Sequence, residues 1–259
     1  MVSAIFIGYK RWREQDYLLN RMSLRDLVRA YFTYPAIQAY LALSLICIAG
    51  LFFIPVAPLG TAVAAGLAVL VYPLVWYLLH RYVLHGKYLY KSKHTAAVWK
   101  RIHFDHHQHP NDLGVLFGAL YTTLPTILII TAPIGFAVAG AAGALAAVAA
   151  GLLTTCFYEF CHCIQHLAYQ PKNGALQRMK RLHMAHHFHN EQGNYGITNF
   201  FWDKVLGTIY ESPGQVARSA TVRNLGYDGE EARRYPWVAR LSEGKAPQRR
   251  NRKAAAANT

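Results

Sequence analysis

The chain has 259 residues, of which 53% are hydrophobic and 15% charged, and its formal net charge is +14. The mean hydropathy is +0.11, which predicts membrane spans mixed with polar regions rather than a soluble globular domain. Four cysteines without a CxxC pair do not indicate a secreted disulfide scaffold. The basic residues bracket apolar stretches, so we expect no nucleic-acid partner.

Residues 1–35 are predicted to form a cytoplasmic amphipathic arm. Ser23 and Asp26 have the spacing of a helix capping box and precede an apolar run, which predicts a short helix on the membrane surface. Residues 1–8 are apolar but too short for a signal peptide and lack a cleavage site. We therefore expect the first span to act as the insertion signal.

Three uncharged stretches follow the arm. Residues 36–54 and 55–79 each fit one membrane-spanning helix of about 20 residues. Residues 113–158 can hold two spans, with Pro133 and Gly135 marking the turn between them. The sequence thus predicts an all-α integral membrane protein with four transmembrane helices in two hairpins.

Lysine and arginine residues lie before the first span, between the hairpins and after the last span. The positive-inside rule makes all three regions, and therefore both termini, cytoplasmic in a bacterial inner membrane or an endoplasmic reticulum membrane. Residues 36–210 form the transmembrane and catalytic domain in this interpretation, and 211–242 a cytoplasmic segment. Residues 243–259 are basic, rich in alanine and predicted to be disordered.

Ten of the thirteen histidines fall into four clusters at the ends of the predicted spans. Neutral imidazole is a common transition-metal ligand, and ten are too many for one ion, so we predict a two-metal site in a cytoplasmic helical cap. Loose repetition of the pattern after each hairpin indicates two half-sites that face each other. The predicted ligands are His80, His85, His103, His106, His107, His162, His166, His183, His186 and His187.

Spacing predicts how these rings converge. Residues three and four apart share a helix face, so each His-x-x-His-His motif can aim three rings in one direction. His80 and His85 are five apart, about 140° around an ideal α-helix, so that pair needs a break or a bend. Gly86 indicates that the second span ends there.

Other polar residues are candidates for supporting positions around the ligands. Glu159 and Asp105 could orient a ligand through its ring N–H. His109 and His189 each follow a His-x-x-His-His motif by two positions and fit outer or surface roles. His94 lies in a polar connector and is expected to be solvated.

The nature of the metal stays open at this stage. A di-iron carboxylate site would supply Glu-x-x-His from two helices, and only Glu159 with His162 has that spacing. Ligation by nitrogen alone is compatible with iron or zinc. Cys161 and Cys163 flank His162, but packing of small side chains explains them better than ligation.

The four-part histidine pattern resembles the motif set of the fatty acid hydroxylase and sterol desaturase superfamily. The segment from Asn199 to Thr208, which contains Asp203, resembles that superfamily's tryptophan–aspartate–glycine–threonine ending, and the segment from His103 to Asp112 is similar to the fatty acid 2-hydroxylase branch. The resemblance covers roughly residues 35–210. It implies two iron ions (with zinc possible after purification), molecular oxygen as oxidant, a long lipid as substrate and Asp203 as a support of the site.

The resemblance also implies an electron supply. Residues 1–35 are too few to hold the cytochrome b5 domain of many eukaryotic relatives, so we expect a separate electron-transfer protein, either cytochrome b5-like or ferredoxin-like. The resulting hypothesis is a di-iron, oxygen-dependent membrane monooxygenase that hydroxylates a long-chain acyl lipid.

Alternatives remain within and outside the superfamily. Carotenoid ring hydroxylation, sterol or hopanoid oxidation and desaturation share the same motif set. A metal transporter would place ionisable groups deep within the spans, whereas the clustered histidines of this chain lie at the span ends. A zinc enzyme without redox chemistry is a further alternative.

Overall fold

The computed structural model describes residues 17–243, and in this part of the chain regular structure is helical, with one isolated antiparallel bridge between Leu18 and Asp112. The prediction of an all-α protein is confirmed. Predictions for residues 1–16 and for nearly all of the basic tail lie outside the described residues. The α-helices are α1 (Leu24–Phe32), α2 (Pro35–Gly50), α3 (Pro58–Leu78), α4 (Ala96–Trp99), α5 (Asp105–Gln108), α6 (Leu113–Leu116), α7 (Leu120–His166), α8 (Gly174–Phe188), α9 (Phe201–Val205), α10 (Gly229–Arg234) and α11 (Trp237–Ser242).

The predicted helix after Ser23 is confirmed as α1. The Ser23 hydroxyl accepts the Asp26 backbone N–H at 3.2 Å, and the Asp26 carboxylate accepts the Ser23 N–H at 3.1 Å. This capping box satisfies two backbone groups that a helix start otherwise leaves without partners.

Within residues 17–243, three helical stretches are long and apolar enough to cross a membrane: Pro35–Phe53, Pro58–Leu84 and Leu113–His166. Helix α7 packs along both α2 and α3. The Tyr72 hydroxyl of α3 donates to Thr155 Oγ1 of α7 at 3.1 Å, which satisfies polar atoms between otherwise apolar helices.

Helix α7 is broken at Ala139 and Gly140, whose φ and ψ angles are not helical. Gly140 has φ 56° and ψ −145°, a conformation that only glycine adopts without strain. Gly135 and Gly143 lie against each other, so the two arms of α7 double back side by side. The predicted turn at Pro133 and Gly135 is therefore wrong in position, because Pro133 lies inside the first arm and Gly135 is needed for the close approach of the two arms.

A second, smaller core lies beside the helical bundle. Tyr90, Trp99, Phe104, Tyr227 and Val238 are buried there together. Their rings pack edge-to-face or tilted, with centroids 5.1 Å apart for Tyr90 and Trp99. This cluster holds the C-terminal helices α10 and α11 against the connector that follows α3.

Candidate metal centre

All ten predicted histidines converge, in two groups of five whose nearest ring nitrogens lie within 4.8 Å of one another. Group A consists of His80, His85, His103, His107 and His186, and group B of His106, His162, His166, His183 and His187. The groups adjoin, since the ring centroids of His107 and His187 are 4.3 Å apart.

Each His-x-x-His-His motif is divided between the groups, which corrects the expectation that its three rings point one way. On α5 and the residues before it, His103 and His107 enter group A while His106 enters group B. On α8, His183 and His187 enter group B while His186 enters group A. Positions four apart share a face, whereas the middle residue of each motif lies off that face and reaches the neighbouring group.

The break predicted between His80 and His85 is a π-helix, Leu79–Leu84, that continues α3. Its hydrogen bonds run from residue i+5 back to residue i, and the His85 N–H donates to the His80 carbonyl at 3.1 Å. The wider turn places residues five apart on one face, so the two ring centroids lie 4.9 Å apart. A second π-helix, Lys100–Phe104, carries His103.

Three histidines of group A are oriented by backbone carbonyls of residues that follow α8 in the sequence. Their Nδ1 atoms lie 2.6 to 2.9 Å from the carbonyl oxygens of Tyr195, Val222 and Gly193. An Nδ1–H donated in this way leaves Nε2 as the atom with a free lone pair. The histidines concerned are His80, His107 and His186.

The nitrogens turned toward each group's centre fit a metal ion. Eight of the ten histidines have buried ring nitrogens without a hydrogen-bond partner, an arrangement that costs about 1–3 kcal/mol per atom unless something else binds them. His85 and His103 face each other through Nε2 atoms 2.8 Å apart, and His166 and His183 through Nε2 atoms 2.9 Å apart. Two ligands about 2.1 Å from one ion and at right angles are about 3 Å apart, so these pairs have the spacing of neighbouring ligands.

Burial keeps the imidazoles neutral, as metal ligation requires. Desolvation lowers the pKa of His107 and of His186 to about 3, against an ordinary value of 6.5. Repulsion between imidazolium charges acts in the same direction, for example His107 on His186.

Both groups open onto one cavity of about 60 Å³. His80 and His103 of group A line it together with four histidines of group B. The rest of its wall is mainly apolar and aromatic, and includes Trp76, Tyr158 and Ile197. The arrangement can therefore hold two ions beside a small, largely apolar space.

Glu159 also lines this cavity, but the hydrogen bond it accepts comes from the backbone N–H of Gly118 at 3.0 Å. Asp105 forms a partly buried ion pair with Lys100, at the start of the second π-helix. Both carboxylates therefore hold neighbouring structure rather than a ligand's ring N–H.

Asp203 is fully buried and supports group A through the backbone. Its carboxylate accepts the N–H groups of Tyr195 and Gly196 at 2.7 and 2.8 Å and the Thr208 hydroxyl at 2.8 Å. Since the Tyr195 carbonyl orients His80, Asp203 fixes the loop that positions a predicted ligand. Burial raises the pKa of Asp203, and these hydrogen bonds oppose that rise.

The remaining histidines lie at the periphery. His94 and His109 are exposed, as expected for solvated or surface positions. His189 Nε2 lies 2.9 Å from the Val216 carbonyl and belongs to neither group. Cys161 and Cys163 are buried in α7 and likewise belong to neither group, as expected for packing side chains.

Sequence reasoning missed the carbonyl acceptors and the aromatic wall of the cavity. A backbone carbonyl has no sequence signature, but the loop between Gly193 and Gly196 offered one hint. It contains Asn194, which has φ 55° and whose side chain bonds the backbone N–H and carbonyl of Tyr210 at 3.0 Å. Glycines flanking such an asparagine indicate a tightly held loop.

Comparison with known proteins agrees with this geometry. Residues 65–208 match the model of the fatty acid hydroxylase family. A dihydroceramide fatty acyl 2-hydroxylase of Arabidopsis thaliana is 33% identical, over 58% of this chain and 61% of its own length. A ceramide very long chain fatty acid hydroxylase of Saccharomyces cerevisiae is also 33% identical, over 54% of this chain and 36% of its own length.

A solved structure, full-length Scs7p with only its hydroxylase domain visible, superimposes with a TM-score of 0.59 at 28% identity. The match covers 71% of this chain and 68% of that one. The chain spans less than two thirds of the length of the curated relatives named above. The family match itself covers more than half of this chain and includes all ten clustered histidines, and the chain therefore belongs to the fatty acid hydroxylase family.

Proposed function

We propose that this protein is a membrane-bound monooxygenase that uses two iron ions and molecular oxygen to hydroxylate a C–H bond of a long-chain acyl lipid. The observation that carries the proposal is the pair of five-histidine groups opening onto one shared, largely apolar cavity. The relatives' names, which refer to 2-hydroxylation of fatty acyl chains, support this substrate class.

The donor set favours iron over zinc. Structural zinc sites take four ligands, and catalytic ones usually take three protein ligands with a water. Five imidazoles suit a six-coordinate ion with one position left open, and nitrogen ligands suit iron. The ligands in this proposal are the ten histidines of groups A and B.

When bound, the two irons supply the oxygen activation and electron transfer that hydroxylation of an unactivated C–H bond requires. The chain itself orients the histidine rings and shapes the cavity. The backbone carbonyls of Tyr195, Val222 and Gly193 hold three rings of group A, and the apolar wall of the cavity excludes water. Glu159 and the Tyr158 hydroxyl are groups in the wall that can hold a proton near the reacting carbon.

The proposed setting is a bilayer crossed four times. Helices α2 and α3 form one hairpin, and the two arms of α7 on either side of Gly140 form the other, with residues 36–210 as the transmembrane and catalytic unit. The basic residues outside the spans then place both termini and both histidine groups on the cytoplasmic side, at the inner bacterial or endoplasmic reticulum membrane. A separate electron carrier, cytochrome b5-like or ferredoxin-like, would supply the electrons from that side.

The test compares lipids from cells with and without the gene by mass spectrometry. The expected result is a lipid with one added oxygen on its acyl chain, absent when the gene is absent. A product lacking two hydrogens would instead show a desaturase. A hydroxylated carotenoid or sterol would identify that class of molecule, rather than an acyl lipid, as the substrate.

Metal analysis of the purified protein tests the identity of the ions. We expect two ions per chain, and loss of product with iron chelation but not with zinc chelation supports iron.

A further inference from the structure

The segment from Asn199 to Thr208 has an exposed apolar face that the metal centre does not use. Within and just after α9, Phe201 is 59% exposed, Val205 55% and Leu206 42%, although Asp203 between them is fully buried. Three large apolar side chains side by side on a surface indicate contact with lipid or with a partner.

This face adjoins the membrane-crossing helix α3. Helix α9 packs against α3, and the Tyr77 and Thr208 hydroxyls are hydrogen-bonded at 2.9 Å. The apolar helical stretch from Pro58 to Leu84 is about 40 Å long, roughly 10 Å more than the hydrocarbon layer of a bilayer. Residues 73–77 therefore lie near the level at which the hydrocarbon begins, and α9, which packs against α3, lies beside this level.

A cleft of about 10 Å³ lies between α3 and residues 195–202, the loop that leads into α9 together with its first turn. Pro73 and Tyr77 form its α3 side, and Thr198, Asn199 and Trp202 form its other side. The lining is amphipathic, because it combines the polar residues Thr198 and Asn199, of which Asn199 is exposed, with Trp202. Such a lining suits a lipid with a carboxylate or amide head and one long acyl chain.

The inner wall of the cleft is also the wall of the metal cavity. Trp76, Tyr158 and Ile197 line both spaces. Trp76 and Tyr158 are stacked, with ring centroids 5.4 Å apart and planes 24° apart. One aromatic pair thus separates the bilayer-facing cleft from the histidines.

We propose that this cleft is a lateral lipid entrance through which an acyl chain passes from the cytoplasmic leaflet to the metal cavity, with Trp76 as the inner gate. The proposal rests on the proposed function for the chemistry that follows, but not for the binding of the lipid. A competing route would use the cavity of about 20 Å³ between α3 and α7, which also touches Trp76. That cavity is lined mainly by Val71, Ile130 and other apolar side chains, so a polar head group would have to enter the bilayer interior without partners.

Photo-labelling tests the entrance directly. The full chain is reconstituted in phosphatidylcholine vesicles that contain palmitic acid with a diazirine on its chain, irradiated and digested. We expect labelled peptides to contain residues 198–202 and Trp76. Labelling confined to residues 126–134, on the competing cavity, would overturn the proposal.

A matched pair of variants tests the same point by function. Thr198→Trp fills the mouth of the cleft, whereas Thr126→Trp makes the same change in the competing cavity. We expect Thr198→Trp to lower both photo-labelling and hydroxylation about tenfold, which corresponds to about 1.4 kcal/mol of weaker lipid binding, while Thr126→Trp retains both. The reverse pattern would show that lipids enter between α3 and α7.

A reversible block covers the case in which Thr198→Trp fails to fold. Thr198→Cys is purified with its metals and then treated with a bulky methanethiosulfonate, and Gln192→Cys, at an exposed position outside the cleft lining, serves as control. Loss of labelling only in modified Thr198→Cys, restored by reductant, supports the entrance, and unchanged labelling contradicts it. If wild-type protein takes up the label but cells that carry the gene form no hydroxylated lipid, the proposed chemistry fails while the entrance stands.

Discussion

His106 and His186 show what a single position does in this site. Each is the middle histidine of its motif, and each lies in the group formed mainly by the other half of the chain. Neither half can complete its five-histidine group alone. A metal ion bound to either group would therefore link the two halves of the chain.

Substitution of one ligand in each motif tests the assignment. We expect His103→Ala and His183→Ala to lose essentially all hydroxylation while the protein still inserts in the membrane, because an imidazole is missing from a five-ligand set. His94→Ala and His109→Ala, both at exposed positions, should retain most activity. Product is measured by lipid mass spectrometry, and full activity in both ligand variants would refute the assignment.

Asp203 acts through the loop that carries the Tyr195 carbonyl. In Asp203→Ala two backbone N–H groups lose their acceptor, and we expect metal affinity at group A to fall about 10- to 100-fold, the usual effect of removing a residue that orients ligands. Group B should be affected less, because the carbonyls held by this loop orient His80 and His186.

Metal titration with a competing chelator measures both affinities. Glu211→Ala is the control, since it removes an exposed acid paired with Arg178 and Arg181, where such ion pairs contribute little. Equal loss at both groups would show that Asp203 stabilises the whole fold rather than group A.

Two types of helix bring a pair of histidine rings to nearly the same separation. His162 and His166, four apart on α7, share a face of an α-helix, and their ring centroids are 5.2 Å apart. His80 and His85, five apart, reach 4.9 Å because the helix widens into a π-turn. The wider π-helical turn accommodates the extra residue, so both helices place a pair of histidine rings at the candidate metal centre.

The hairpin of α7 depends on close contact between its arms. A Cβ on Gly143 would overlap the Gly135 carbonyl group, so we expect Gly143→Ala to destabilise the fold by about 1–3 kcal/mol, as overpacking typically does. Gly66→Ala is the matched control, because a Cβ there meets nothing within 4 Å and should stabilise α3 by about 0.5–1 kcal/mol. Unfolding in mixed detergent micelles measures both changes, and equal stability of the two variants would contradict the tight crossing.

The break at Gly140 decides how many times the chain crosses the membrane. A protein that crosses the membrane four times places residues 93 and 220 on one side and residues 56 and 141 on the other. We expect variants with one added cysteine, Lys93→Cys and Ala220→Cys, to react with an impermeant maleimide from the cytoplasmic side, and Val56→Cys and Ala141→Cys from the opposite side. All four positions are exposed, and the same labelling of a variant without added cysteine gives the background. Reaction of residues 93 and 220 from opposite sides would rule out two hairpins.

The sequence alone determined the class of the protein and the set of histidines that converge. Uncharged runs of sufficient length require helices in a bilayer, since only an internally bonded backbone is stable there. Ten clustered histidines in a fixed order identified the family and anticipated the residues that converge. These features were readable because they depend on composition and spacing along one helix.

The division of the ten histidines between groups A and B is visible only in the folded chain. The division of each motif between groups A and B depends on the rotation of α5 and α8 relative to each other, which local spacing does not set. The turn at Gly140 rather than Pro133 depends on where Gly135 and Gly143 can meet, and the carbonyls that orient His80, His107 and His186 come from residues more than a hundred positions away or from a folded loop. Contacts between distant segments are fixed by packing of the whole chain, so no single stretch of sequence encodes them.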